Sequence, residues 1–164
     1  MHNGIIENYR TIRARLEAAG HQFASDTDSE VLAHLFVEAF DAGLDPAMAT
    51  RQVLDEIDGA YAFAVMTIDH PDLLIVARNA SPLALGIGDD ACYIGSDAIA
   101  LSHLTRKVVY LKEHDYALVR ADGGSVYQAD GTLVNREAVI VAASPGLVDK
   151  GGYRHYMEKE IHEQ

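Results

Sequence analysis

The chain has 164 residues, 49% of them hydrophobic, which is enough to build one sizeable core in a unit of ordinary domain size. Thirteen basic residues against twenty-five acidic ones give a formal charge of −12, so a nucleic-acid backbone or an anionic membrane surface is repelled and neither is expected as a partner. A single cysteine, Cys92, cannot form an internal disulfide, and neither a leader-like segment nor an apolar run of about eighteen residues is present, so the expected setting is a reducing cytoplasm.

In chain order, the opening stretch His2-Asn3-Gly4-Ile5-Ile6 contains an Asn-Gly pair, the favoured dipeptide of a tight type I′ turn. Tyr9, Ile12, Leu16 and Ala19 recur at helical spacing, and Gly20 follows as a C-terminal cap, which predicts a helix from about Asn8 to Ala19. His21 to Ser25 reads as extended, so the first forty residues alternate short strands with capped helices. Thr27-Asp28-Ser29-Glu30 has the form of a capping box that opens a second helix, with Val31, Leu32, Leu35, Phe36, Ala39 and Phe40 on its apolar side and Gly43 at its end. Asp45-Pro46 opens a third, running to Ile57.

From Ala60 the pattern changes to strands. Tyr61–Ile68 and Leu73–Arg78 flank Asp69-His70-Pro71-Asp72 as a hairpin. Further strands are predicted at Leu83–Ile87, Cys92–Gly95, Lys107–Leu111 and Tyr116–Arg120, with Asp97 capping a short helix through Ile99 and Leu101. Asp122-Gly123-Gly124 and Asp130-Gly131 bracket a last antiparallel pair, Ser125–Gln128 with Thr132–Asn135. Ser144-Pro145-Gly146 and Lys150-Gly151-Gly152 then mark a linker, and Tyr153–Gln164 reads as a polar helix.

Several residues allow both a structural and a chemical reading. Asn3 with Gly4 serves as a turn, or as a carboxamide donor and a backbone N–H aimed at a developing oxyanion. Asp28 caps a helix, or holds a substrate ammonium group. Cys92 alternates within a strand pattern with no base beside it, which marks an inert thiol. No His-Glu-x-x-His pattern occurs, and His155 with His162, seven apart, marks a solvated helix face, so no metal or organic cofactor is implied. Arg78 and Arg106 read as surface or ion-pair residues. Phosphate-binding glycine loops and a G-x-S-x-G elbow are absent.

Taken together, His2-Asn3-Gly4-Ile5-Ile6-Glu7-Asn8, Ser25-Asp26-Thr27-Asp28-Ser29-Glu30-Val31 with Ala33-His34-Leu35, Gly59-Ala60-Tyr61-Ala62-Phe63-Ala64, Ala77-Arg78-Asn79-Ala80-Ser81-Pro82-Leu83 and Gly95-Ser96-Asp97 resemble the glutaminase domain of the class II glutamine amidotransferases. The resemblance implies an α+β fold of N-terminal nucleophile hydrolase type, a four-layer αββα sandwich. It makes Asn3 and Gly4 the catalytic oxyanion donors and Asp28 the binding residue for the α-ammonium of glutamine.

The tail Tyr153–Gln164 is similar to the segment joining that domain to a sugar isomerase. This implies ammonia transfer to fructose 6-phosphate, which would bind in the isomerase part, to form glucosamine 6-phosphate in a homo-oligomeric parent. Residues 1–143 are then the C-terminal portion of the glutaminase domain, and 144–164 the linker and start of the isomerase domain. Other readings are a non-catalytic module on the same fold and another amidotransferase, such as amidophosphoribosyltransferase.

Family members use a chain-terminal cysteine with its own α-amine as base, and an Arg-Trp motif for the substrate carboxylate. Neither occurs here. The expectation is therefore of a chain that starts within the domain, lacks its first strands and has no glutaminase activity alone.

Overall fold

The computed structural model of the chain describes residues 1–141. Three helices follow a first strand, β1 (His2–Ile6): α1 (Tyr9–Ala18), α2 (Ser29–Asp41) and α3 (Pro46–Glu56). Their ends follow from local chemistry. In α1, Gly20 takes φ +101 and the N–H groups of Gly20 and His21 return to the carbonyls of Glu17 and Leu16, a Schellman closure that only glycine enters cheaply. The Asp45 carboxylate caps α3 by accepting from the N–H groups of Ala47 and Met48 at 2.9 and 3.0 Å, ahead of Pro46.

The strands β2 (Gly59–Val65), β3 (Leu74–Asn79), β7 (Tyr116–Arg120), β8 (Gly123–Tyr127) and β9 (Leu133–Val134) join β1 in an antiparallel sheet of order β1-β2-β3-β7-β8-β9. A second antiparallel sheet, β10-β6-β4-β5, comprises β4 (Ala84–Ile87), β5 (Cys92–Gly95), β6 (Lys107–Tyr110) and β10 (Ala138–Ile140). Period-two alternation in β2 explains the layering. Tyr61 and Phe63 turn to one face and pack with Ile12, Leu16, Leu35, Phe36 and Val53 of the three helices. The small Ala62 and Ala64 turn to the other and meet Leu83, Leu85, Val109 and Leu111 of the second sheet. Beyond that sheet, α4 (Ala98–Leu101) buries Ala98 and Leu101 against Ala84 and Val108. The order of layers is helices, sheet, sheet, helix, the αββα sandwich that the motifs imply.

Four expectations change. Asn3-Gly4 is not a type I′ turn. Both residues lie inside β1, opposite Ala62 and Tyr61, and the positive φ of Gly4, +123, serves a close approach instead of a chain reversal. His21–Ser25 forms no strand, because the Glu30 carboxylate takes the N–H groups of Ala24 and Ser25 at 2.7 and 2.8 Å. The capping box is accordingly not closed: Asp28 is the N-cap of α2 and makes no side-chain cap bond. The Ser25 hydroxyl and then the Ala24 N–H hold the Glu30 carboxyl down at about 2. Finally, β10 is an additional strand, placed by Arg136, whose guanidinium grips the buried Asp115 with two bonds of 2.7 and 2.8 Å. The linker and polar helix read from residues 144–164 lie outside the described residues.

A Cβ on Gly4 would overlap the Ala60 carbonyl, whereas one on Gly20, also at positive φ, would meet nothing within 4 Å. Gly20→Ala therefore isolates the backbone term, about 1–2 kcal/mol, and Gly4→Ala adds overpacking of about 1–3 kcal/mol. Denaturant unfolding should show Gly4→Ala as the more damaging change; equal losses would refute the close-approach account.

Candidate functional site

β1 is the free edge of the six-stranded sheet. Its hydrogen-bond phase is set at Met1, whose ammonium donates to the Ala64 carbonyl and whose carbonyl accepts from the Ala64 N–H, both at 2.8 Å. By the antiparallel alternation, Asn3 and Ile5 then bond toward β2, while the N–H groups of His2, Gly4 and Ile6 point off the edge. One of these outward groups is occupied: the Ile6 N–H donates to Asp28 Oδ2 at 2.9 Å. Asp28 therefore spends one oxygen on the edge strand in place of its own helix. Asp28 Oδ1 accepts no hydrogen bond among the described residues, and its side chain is about a fifth exposed.

Side chains alternate along β1. Asn3 turns to the face shared with the second sheet and lines a cleft of about 180 Å³, together with Ala62, Pro82, Leu83 and Gly95. Gly4 is its chain neighbour at the same edge. Asp28 stands at that edge too but does not line the cleft, so the structure brings Asn3 and Gly4 together and sets Asp28 beside them, at the start of α2. A cleft this small falls below the roughly 300–1,000 Å³ of sites that enclose a whole small ligand. A larger one, about 770 Å³, opens between the sheets among Leu85, Cys92, Lys107, Val109 and Arg136, and it contains none of the three motif residues.

Sequence reasoning gave His2 no role, although period-two spacing from the buried Ile6 would have put it on the helix-facing side. The imidazole is 3% exposed, its Nδ1 is 2.8 Å from Ser29 Oγ and 3.8 Å from Asp28 Oδ1, and its Nε2 is buried without a partner among the described residues. An unmet N–H costs more than an unmet lone pair, so the hydrogen-bond pattern assigns the proton to Nδ1, donating to Ser29. Burial pushes the His2 imidazole below its ordinary 6.5, with Asp28 opposing. Neutral His2 thus props Ser29 and Asp28 from beneath.

Asn8, also in the motif, is a strut. It donates to the Glu56 carbonyl at 2.8 Å and accepts from the Asp58 N–H at 3.0 Å. Arg78 forms the expected ion pair, to Glu113 at 2.6 Å; Arg106 is exposed. Burial raises the Cys92 thiol above its ordinary range, consistent with an inert cysteine. Among the described residues, no group of three or more histidine, cysteine or acidic side chains could hold a metal ion, and no helix is long and apolar enough to cross a membrane.

Residues 1–103 match the glutamine amidotransferase domain family. The chain belongs to that family. The glutamine–fructose-6-phosphate aminotransferase (isomerizing) of Zymomonas mobilis is 48% identical over all 164 residues, and that of Caulobacter vibrioides 44%. This amidotransferase chain spans 27% of the length of each. Among solved structures, the B. subtilis glutamine phosphoribosylpyrophosphate amidotransferase, complexed with ADP and GMP, superposes on 81% of this chain and 29% of its own with a TM-score of 0.67 at 25% identity. An allosteric regulatory enzyme of purine biosynthesis does so on 78% and 27%, with a TM-score of 0.64 at 27% identity. The fold is the N-terminal nucleophile hydrolase type.

Because neutral His2 is favoured by folding, the unfolded chain binds more protons below about 6.5, and this contribution to stability is present above that pH and lost as pH falls. His2→Asn keeps a donor near the Nδ1 position without a titrating group. Unfolding free energies measured between pH 7.5 and 5 should fall more steeply for the wild type than for His2→Asn; parallel curves would exclude a buried neutral imidazole.

Proposed function

We propose that this chain carries the oxyanion-binding and ammonium-binding part of a glutamine-hydrolysing site in a glutamine–fructose-6-phosphate aminotransferase. The observation that carries this reading is the open edge of β1, where the Asn3 carboxamide faces a cleft, the adjacent Gly4 N–H points outward by the strand's phase, and Asp28 keeps one carboxylate oxygen free of hydrogen bonds among the described residues. Identity of 48% along the whole chain supports the fructose 6-phosphate acceptor over the phosphoribosyl one, whose solved relative stands at 25%.

In the reaction a cysteine thiolate adds to the glutamine carboxamide carbon, and the carbonyl oxygen takes up the charge. The Asn3 Nδ2–H and Gly4 N–H donate to that oxyanion; one such donor is worth about 10²–10³ in kcat. The C–N bond breaks as the nitrogen receives a proton and leaves as ammonia, and water then hydrolyses the thioester to glutamate. Asp28 Oδ1 accepts from the α-ammonium and fixes which end of glutamine meets the thiolate. By the family resemblance, nucleophile and base are the thiol and α-amine of a terminal cysteine. Met1 has no thiol, and Cys92 has neither a free amine nor a place in the Asn3 cleft. The ammonia passes to fructose 6-phosphate in an isomerase part, giving glucosamine 6-phosphate, in a cytoplasmic homo-oligomer.

On this reading the 164-residue chain releases no ammonia from glutamine above a buffer control, yet glutamine at high concentration shifts the NMR signals of the Asn3 side-chain amide and the Gly4 amide. Asp28→Asn should weaken that binding about 10–100-fold, the worth of a hydrogen bond to a charged group. Ammonia release, or shifts confined to the larger inter-sheet cleft, would overturn the assignment.

A further inference from the structure

Among the described residues, two that are not glycine take positive φ: Ala80 at +62 and His114 at +60. Left-handed backbone lowers the population of a residue that carries a Cβ about 5–30-fold, so each needs a partner to hold it there. Ala80 follows β3, in the motif stretch that carries the chain from the first sheet to the second. The Ser81 N–H returns to the Asn79 carbonyl at 2.7 Å, which makes a three-residue γ-turn around Ala80, of the rare and strained hand. His114 lies in the turn between β6 and β7, closed by the Asp115 N–H on the Lys112 carbonyl at 3.1 Å. Glu113 joins the two turns.

One Glu113 oxygen accepts from the Ala80 N–H, at the centre of the γ-turn, and the other accepts from Arg78 Nη2 at 2.6 Å. Arg78 is fixed in its turn, by Nη1 on the Leu111 carbonyl and by its own N–H on the Asp115 carbonyl, both at 3.1 Å. Its side chain is only 16% exposed, so the charge-assisted pair is partly shielded from water. The clamped turn borders the candidate site through three neighbours. Pro82, two residues on, walls the cleft that Asn3 lines. Asn79, one residue back, donates its amide to the Gly59 carbonyl at 2.7 Å, and Gly59 is where β2 closes on the Ile5 carbonyl of β1. Ala80 itself bridges to Tyr61, the residue opposite Gly4.

We propose that Glu113 is a positioning residue for the glutamine site: by holding Ala80 in its left-handed turn, it sets Pro82 against the Asn3 cleft and fixes the space in which the carboxamide meets its donors. The inference rests on the function proposed above for Asn3 and Gly4. Backbone strain of this kind persists only where the surroundings over-determine it, and here one carboxylate does so. Without it, Ala80 relaxes toward negative φ and Pro82 leaves the wall of the cleft. Glu113 does not line the cleft, so its effect on binding runs through the turn alone. Thirty-three positions separate Ala80 from Glu113, which is why no local sequence pattern reveals the clamp.

The experiment is NMR of the 164-residue chain, with and without glutamine, as wild type, Glu113→Ala, Ala80→Gly and the double variant. In ligand-free Glu113→Ala, the signals of the Ala80 amide, the Pro82 ring and the Asn3 side chain should move, while those of Leu35 and Phe36 in α2 stay. Apparent affinity falls with the fraction of protein in the competent form, so Glu113→Ala should weaken glutamine about 5–30-fold. Ala80→Gly in the same chain should restore most of that loss, because glycine holds positive φ unaided; a general loss of stability would not be rescued there. Glu113→Gln, which still accepts from the Ala80 N–H, should fall between wild type and Glu113→Ala, and it serves if the alanine variant folds poorly. Unmoved Pro82 and Asn3 signals in Glu113→Ala, or a loss of affinity that Ala80→Gly leaves unrepaired, would overturn the proposal. A wild type that responds to glutamine nowhere overturns instead the reading of the site, and the ligand-free signals still decide whether Glu113 holds the turn.

Discussion

The free edge of the six-stranded sheet depends on two backbones touching. β1 lies against β2 with Gly4 and Gly59 both at positive φ, and a Cβ on either would run into a carbonyl of the facing strand, that of Ala60 for Gly4 and that of Ile5 for Gly59. Only glycine at both places lets the ladder close along residues 2 to 6. That contact fixes the phase of β1, and the phase decides everything nearby: which N–H groups leave the sheet, which side chains meet the helices, and which face the second sheet. Ile6 and His2 are buried under α2, and Asn3 is turned to the cleft.

A second constraint is electrostatic. The outward N–H of Ile6 would be an unmet donor at a sheet edge, and Asp28 meets it from the first position before α2. The same carboxylate stands above a buried imidazole that burial keeps neutral, so its charge is not cancelled from below. At the far end of the second sheet, the Asp115–Arg136 pair secures β10, with the Lys112 N–H supplying a further bond to Asp115 at 2.7 Å. The buried acid is satisfied on three sides, the condition under which a buried charge is tolerated.

Much of this was legible in the sequence. Helix ends marked by Gly20, Gly43 and Asp45-Pro46, and the hairpins around Pro71, Gly123 and Gly131, follow from local chemistry and appear as read. The large-small alternation of Tyr61-Ala62-Phe63-Ala64 encodes the layer order directly. What was hidden depends on partners distant in the chain. Asn3-Gly4 has the dipeptide signature of a turn, but β2, fifty-odd residues away, pulls it into a ladder. Glu30 suits a capping box, yet it finds better donors at Ala24 and Ser25. The contact of His2 with Ser29 exists only once α2 is docked.

On the proposed function, glutamine lies in one orientation at the edge of β1. Transferred nuclear Overhauser effects from glutamine to the chain report that orientation directly. The γ-methylene protons should show contacts to the Gly4 amide and the Asn3 side chain, and the α-proton to the start of α2 at Asp28 and Ser29. Contacts in the opposite sense, with the α-carbon at Asn3, or contacts only to residues of the larger inter-sheet cleft such as Val109 and Leu85, would contradict it.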